Sequence, residues 1–188
     1  VIASAVNRML QLNNINALSN ATLNLVAAPS VQNLVSFASG ANTGPFKLGA
    51  LSGVVPQALT DTVGSSVDLI VGAKNTNTTY SVALSGSGSL TKIGNGTLTL
   101  AGANSFSGNT TINGGVLALA AASNLTNSPS IVVAQDATFD VSSNAFTGGG
   151  SQSLYSSGTN RGSVGVSSGG KLYAGGDGSY ATNDFTSD

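Results

Sequence analysis

The sequence predicts an all-β fold, a β-solenoid with about 20 residues per repeat, and three observations predict it. Short runs alternate a small or polar residue with an aliphatic one, as in Thr97-Leu98-Thr99-Leu100 and Val116-Leu117-Ala118-Leu119. That alternation sends successive side chains to opposite faces of a strand. Between the runs lie Gly, Asn and Ser (Gly94-Asn95-Gly96, Gly102-Ala103-Asn104, Asn113-Gly114-Gly115), residues that accept tight corners. Comparable runs return at a near-constant interval: Thr97, Val116 and Ala137 begin one series, Thr110 and Ser130 another. Strands this short bury no face alone, so copies must stack.

Composition agrees. The 188 residues include 25 Gly, 7% charged and 5% aromatic residues, with no Trp, His or Cys. Acidic residues are all Asp, and the absence of Glu with few Lys argues against surface helices. Medium-sized aliphatics suit a thin layered core. The aliphatic content and its regularity argue against disorder. A net charge of -1, with Arg8, Lys47, Lys74, Lys92, Arg161 and Lys171 scattered, offers no field for nucleic acid or an anionic membrane. No run approaches the ~20 apolar residues of a spanning helix, so no membrane insertion is expected. With no Cys there is no disulfide framework or thiolate metal site. No initiator Met or signal peptide is seen, so the chain reads as a processed product or an excerpt of something longer. Few charges and a mean hydropathy of +0.22 are unusual for a freely soluble monomer.

In chain order, residues 1–9 read as an end strand, followed by Leu10-Gln11-Leu12 and a corner at residues 13–18. Thr22–Val26, Val35–Phe37 and Phe46–Leu48 read as strands, with a turn across Ser39–Pro45. Residues 51–64 are the least regular, and Pro56 would break a central strand, so they read as a loop protruding from the stack. Val67–Val71 and Tyr80–Leu84 restore the alternation. Residues 86–120 are the most regular part, with Leu90, Leu98, Leu100, Ile112, Leu117 and Leu119 as inward core positions. Ile131–Val133, Ala137–Val141, Ser153–Tyr155, Ser163–Val166 and Lys171–Tyr173 follow as further rungs of a single solenoid.

Residues 86–120, GSGSLTKIGNGTLTLAGANSFSGNTTINGGVLALA, closely resemble the autotransporter-associated β-strand repeat of large bacterial surface proteins. The match runs through Leu90, Lys92, Gly94, Gly96, Leu98, Leu100, Gly102, Asn104, Phe106, Gly108, Thr110, Thr111, Ile112, Asn113, Gly115, Leu117 and Leu119. Residues 10–25, 67–85, 131–141 and 162–172 resemble flanking parts of the same family. The resemblance implies a right-handed parallel β-helix, located at the bacterial cell surface or outside the cell.

Chemistry is thinly represented. Parallel β-helices that cleave polysaccharides use clustered carboxylates or an Asp/Lys/Arg group. The nearest candidate is Asp136 with Asp140, four positions apart, while Lys92 and Lys171 belong to other rungs; all four read as solvated surface charges. A Ser nucleophile would lack its usual His base. Gly175-Gly176-Asp177-Gly178 resembles one copy of a calcium-binding glycine-rich repeat, and reads as a turn. Sequons at Asn20, Asn77, Asn95, Asn109 and Asn124 are expected by chance in so Asn-, Ser- and Thr-rich a chain. Asn95, Asn104 and Asn113 read as left-handed corner residues or an amide ladder, and Phe37, Phe106 and Phe139 as core or corner packing.

No enzyme, cofactor or metal is therefore expected. The first expectation is a structural extracellular solenoid, a surface fibre or stalk segment. Its partners are neighbouring repeats of a longer chain or further copies, joined head to tail through Val1, Ile2 and Val6 at one end and Phe185 at the other. The alternative is an adhesin or carbohydrate-binding passenger that takes glycans on residues 51–64 or 148–162. A polysaccharide-active enzyme ranks third.

Overall fold

The computed structural model describes residues 10–26, 35–40, 44–144, 146–148, 152–161, 164–166 and 171–174. Val1, Ile2, Val6, Phe185, the end strand at residues 1–9 and the Gly175–Gly178 turn lie outside them.

The described residues are strands and corners, with no helix among them. In chain order the strands are β1 (Leu10–Leu12), β2 (Leu18–Leu25), β3 (Val35–Phe37) and β4 (Phe46–Gly53). The next turn holds β5 (Gln57–Ala58), β6 (Leu69–Val71) and β7 (Thr78–Tyr80), and the one after it β8 (Leu84–Ser85), β9 (Leu90–Lys92) and β10 (Thr97–Leu100). Then follow β11 (Thr110–Ile112), β12 (Val116–Leu119), β13 (Ser130–Val133) and β14 (Thr138–Asp140). The last are β15 (Phe146–Gly148), β16 (Ser153–Ser156), β17 (Thr159–Arg161), β18 (Val164–Val166) and β19 (Lys171–Ala174).

Among the described residues every strand pairing is parallel, between copies in successive turns, which makes the fold a β-solenoid with turns roughly 22 residues apart. The interval varies because corners absorb insertions: Leu98 pairs with Leu117, whereas Leu23 pairs with the more distant Leu51. One side of the coil is the ladder β6-β9-β11-β13-β16-β19, and a second is β7-β10-β12-β14-β17. Both ladders meet on β4, which pairs with β6 through Phe46–Leu48 and with β7 at Gly53. β2 lies on the other edge of β4. A third, shorter side is built from β1-β3, β5-β8, an isolated Ala103–Asn124 bridge and β15-β18.

Alternation fills the coil. Leu69, Leu90, Thr110, Ile131 and Leu154 form one buried column, and Val71, Lys92, Ile112 and Val133 its neighbour. On the second side Leu98, Leu117 and Phe139 stack, beside Tyr80, Leu100 and Leu119. All six positions expected in the core (Leu90, Leu98, Leu100, Ile112, Leu117 and Leu119) are at most 2% exposed. Burying one such aliphatic side chain contributes ~1.5–3 kcal/mol, and each rung is covered only when the next is present. Phe37, Phe106 and Phe139 are buried as expected, and edge contacts such as Phe139 on Phe146 extend the core to the third side.

Two segments differ from expectation. Residues 51–64 are largely inside the stack: Leu51, Val55 and Leu59 are buried, β4 continues to Gly53, and β5 pairs with β8. Pro56 is compatible because it precedes β5, where no ladder amide is required. Only the tip projects, where Thr60 bridges Ser66 and Asp61 Oδ1 accepts the Val63 and Ser65 amides. Tyr80–Leu84 is also not one strand. β7 ends at Tyr80 and β8 begins at Leu84, so both side chains point inward across a corner rather than along a strand.

Candidate functional site

The chemistry-bearing side chains collect at the corners of the coil. Lys92 is the largest departure from expectation. It is not a solvated charge: it is 1% exposed, because it occupies an inward position of β9 between Val71 and Ile112. Alternation places it there, since Leu90 two residues earlier also points inward. Its aliphatic stem fills the column and its ammonium donates to the carbonyls of Ile93 (2.8 Å), Gly94 (3.0 Å) and Gly114 (3.1 Å). Two of these belong to its own turn and the third to the next, so one cation ties two rungs. Gly94 (φ +70°) and Gly115 (φ +59°) supply left-handed corner backbone, which L side chains rarely adopt.

Burial lowers the Lys92 ammonium from 10.5 to about 8. Between pH 8 and 10.5 the unfolded chain therefore holds a proton that the folded chain has released, so folding stability rises with pH in that window. We expect a gain of roughly 3 kcal/mol across it, read by denaturant midpoint against Lys92→Met, which should lack that gain. Parallel pH profiles for the two proteins would show that Lys92 titrates as an ordinary surface lysine.

The corner after β10 is held by Asn104, 3% exposed. Its Oδ1 accepts the Leu84 amide at 3.0 Å, and its Nδ2 donates to Gly102 O (2.9 Å), Ser123 Oγ (3.0 Å) and Asn124 O (3.2 Å). One turn on, Asn144 Nδ2 donates to Ala120 O and Ser123 O. The corner before β11 and β13 carries a third bracket: Thr110 Oγ1 and Ser128 Oγ lie 3.0 Å apart, Ser128 Oγ donates to Gly108 O, and Gln152 Nε2 donates to Leu125 O and Ser128 O. Each bracket satisfies backbone groups that a corner would otherwise bury unpaired.

The other expected positions separate. Asp136 is exposed with φ +63°, in the corner that follows β13. Asp140 ends β14, where its Oδ1 accepts from the amide and hydroxyl of Ser142. Lys171 opens β19. Lys92 is inside the coil, so these four groups do not converge on one exposed site. Asn95 and Asn113 are exposed without positive φ, and among the described asparagines the left-handed residue is Asn75 (φ +57°). Asn104 bridges rungs through backbone and a serine hydroxyl rather than through stacked amides. Among the described residues, no group of three or more Asp residues could hold a metal ion. Sequence reasoning missed the buried role of Lys92, although its two-residue spacing from Leu90 signals it. It missed Ser128 and Gln152 because their inward direction depends on corner geometry, which alternation does not report.

Residues 90–119 match the family model of the passenger-associated-transport-repeat, the stretch that contains Lys92 and Asn104. Neither the curated proteins nor the solved structures yield a match to the chain.

Proposed function

We propose that this chain, which carries a passenger-associated-transport-repeat within a β-solenoid, is a structural segment of a bacterial surface or secreted passenger protein. The observation that carries the reading is where its polar groups are spent. Lys92, Asn104, Thr110, Ser128 and Gln152 are all buried and bonded to corner carbonyls, amides and hydroxyls, so the reactive inventory serves shape. A rigid rod built this way works as a spacer or fibre element. The finer proposal is head-to-tail assembly. Among the described residues the parallel ladders run from β2 and β4 to β17 and β19, and parallel strand edges of this kind support extension by another copy. Sedimentation velocity and electron microscopy across a concentration series test it. Filaments with a β-solenoid cross-section are the expected result; a monodisperse monomer at every concentration contradicts assembly and leaves the single-rod reading.

The second reading, an adhesive or glycan-binding passenger, is favoured by the projecting Thr60–Ser66 hairpin, whose Val63 is 72% exposed. Glycan-array binding that is lost when this hairpin is shortened would support it. Binding to no glycan, or binding that survives the shortening, would count against it.

A further inference from the structure

The dipeptide Asn-Gly occurs at two exposed corners on successive turns, Asn95-Gly96 and Asn113-Gly114. The pair is chemically special because glycine has no Cβ to shield its backbone nitrogen. That nitrogen can attack the side-chain carbonyl carbon of the preceding asparagine. The two corners differ in how closely their glycine is packed.

At the first corner the Asn95 amide donates to Asn75 Oδ1 and the Thr97 amide to Asn77 Oδ1, both at 2.8 Å. Gly96 is buried, and a Cβ there would stand 2.4 Å from Thr76 O. The segment is pinned on both flanks and packed below. At the second corner the Asn113 amide donates to Lys92 O at 2.8 Å and the Val116 amide to Gly96 O at 3.3 Å, and the Asn113 side-chain amide, exposed like that of Asn95, makes no hydrogen bond to any described residue. By contrast, the side chains of Asn75, Asn77, Asn104 and Asn144 are all committed to corner backbone. The Gly114 amide is likewise unengaged among the described residues. A Cβ on Gly114 would meet nothing closer than 3.4 Å, so this peptide has room to rotate towards the Asn113 side chain.

We infer that Asn113-Gly114 is a site of spontaneous self-modification, with water as the only co-reactant. A bond forms between Gly114 N and Asn113 Cγ while the bond from Cγ to the amide nitrogen breaks. Ammonia leaves with the displaced proton, giving a cyclic imide. Water then opens the ring at one of its two carbonyls. Opening at the main-chain carbonyl gives isoaspartate, with the chain routed through the former side chain; opening at the other gives aspartate. The corner amplifies this change. Gly114 O is one of the three carbonyls that hold Lys92, and Gly115, next in line, packs against Gly94 and Gly96 of the turn before. An extra main-chain carbon at residue 113 shifts the Gly114 carbonyl off the ammonium and disturbs the register of Val116 on Thr97. The conversion is a built-in ageing reaction that unlatches one rung from the next.

The experiment incubates the full folded chain in mildly alkaline buffer at physiological temperature. Peptide mapping with fragmentation that distinguishes isoaspartate from aspartate follows both corners. Conversion at Asn113 is expected to outpace that at Asn95 roughly tenfold, the factor given by ~1.4 kcal/mol of barrier difference. In denaturant, where neither corner exists, the two rates should converge. Gly114→Ala, whose Cβ has space and whose backbone is not left-handed, should slow conversion at Asn113 while leaving the melting temperature of fresh protein unchanged. Asn113→Gln is the second variant; it should remove the reaction there and leave Asn95 unaffected. Equal or faster conversion at Asn95 in the folded chain overturns the proposal. So does an Asn113 rate in the folded chain far below its rate in denaturant.

Discussion

Leu100→Asp abolishes cooperative folding. Leu100 is fully buried on β10, stacked between Tyr80 of the turn before and Leu119 of the turn after. A carboxylate there loses its hydration and finds only apolar neighbours above and below in its column. Burying an unpaired charge in this way, added to the lost burial of the leucine, costs more than ~4 kcal/mol. A domain has only ~5–15 kcal/mol in total. The effect should not stay local, because the rungs on both sides share the same column. Leu100→Ala, which leaves a cavity but no charge, should cost ~2–5 kcal/mol and still fold. Circular dichroism with denaturant titration reads both. A parent-like midpoint for the aspartate variant would mean that this position is not inside a stacked core.

Gly72→Ala is the second large effect, and its cause is purely steric. Gly72 has φ +124°, and a Cβ there would lie 1.9 Å from the Ile93 carbonyl oxygen and 3.4 Å from Lys92 Nζ. The obstacle is the backbone of the next rung, which cannot swing aside as a side chain could. Opening this gap also draws Ile93 away from the Lys92 ammonium, since Ile93 O is one of its acceptors. We expect a loss of at least ~3 kcal/mol. Gly64 supplies the control: its φ is +87°, but a Cβ would meet nothing within 4 Å. Gly64→Ala should therefore show the backbone strain alone, ~1 kcal/mol. Equal losses for the two variants would mean that the neighbouring rung does not crowd Gly72.

Much of this architecture is legible in the sequence because the two controlling signals are local. Thr97-Leu98-Thr99-Leu100 and Val116-Leu117-Ala118-Leu119 state both the direction of their side chains and their registry, and the structure pairs them residue for residue. Gly94 and Gly115 mark the corners that break β2- and β4-like continuity into two strands per turn. Where reading by alternation fails, it fails at corners. Tyr80 and Leu84 share parity, yet a corner lies between them, so the same pattern describes two strands rather than one. Leu51, Val55, Gln57 and Leu59 alternate through the expected loop and are all buried; Pro56, a strand breaker by type, masks that signal.

The polar brackets are less legible in the sequence for a physical reason. A lysine read by composition is a surface charge, and only its place two residues beyond Leu90 says otherwise. Its acceptors, Ile93 O, Gly94 O and Gly114 O, are backbone groups, which carry no mark in the sequence. Ser128 and Gln152 belong to the same class. Their inward aim follows from how the third side of the coil turns, and turn geometry is set by stacking on the previous rung.

The rungs form a single continuous stack with a constant rise. Ile70, Thr91, Thr111, Val132 and Tyr155 form one column on neighbouring strands of the first side. Adjacent strands are ~4.8 Å apart, so Thr91 to Tyr155 spans ~14 Å and Ile70 to Tyr155 ~19 Å. The chain contains no Cys, so pairs of introduced cysteines can carry spin labels without background. Electron–electron distance measurement on Thr91→Cys/Tyr155→Cys and Ile70→Cys/Tyr155→Cys should give two narrow distributions separated by one strand spacing. Broad distributions, or distances that do not grow with each added rung, would contradict the stack.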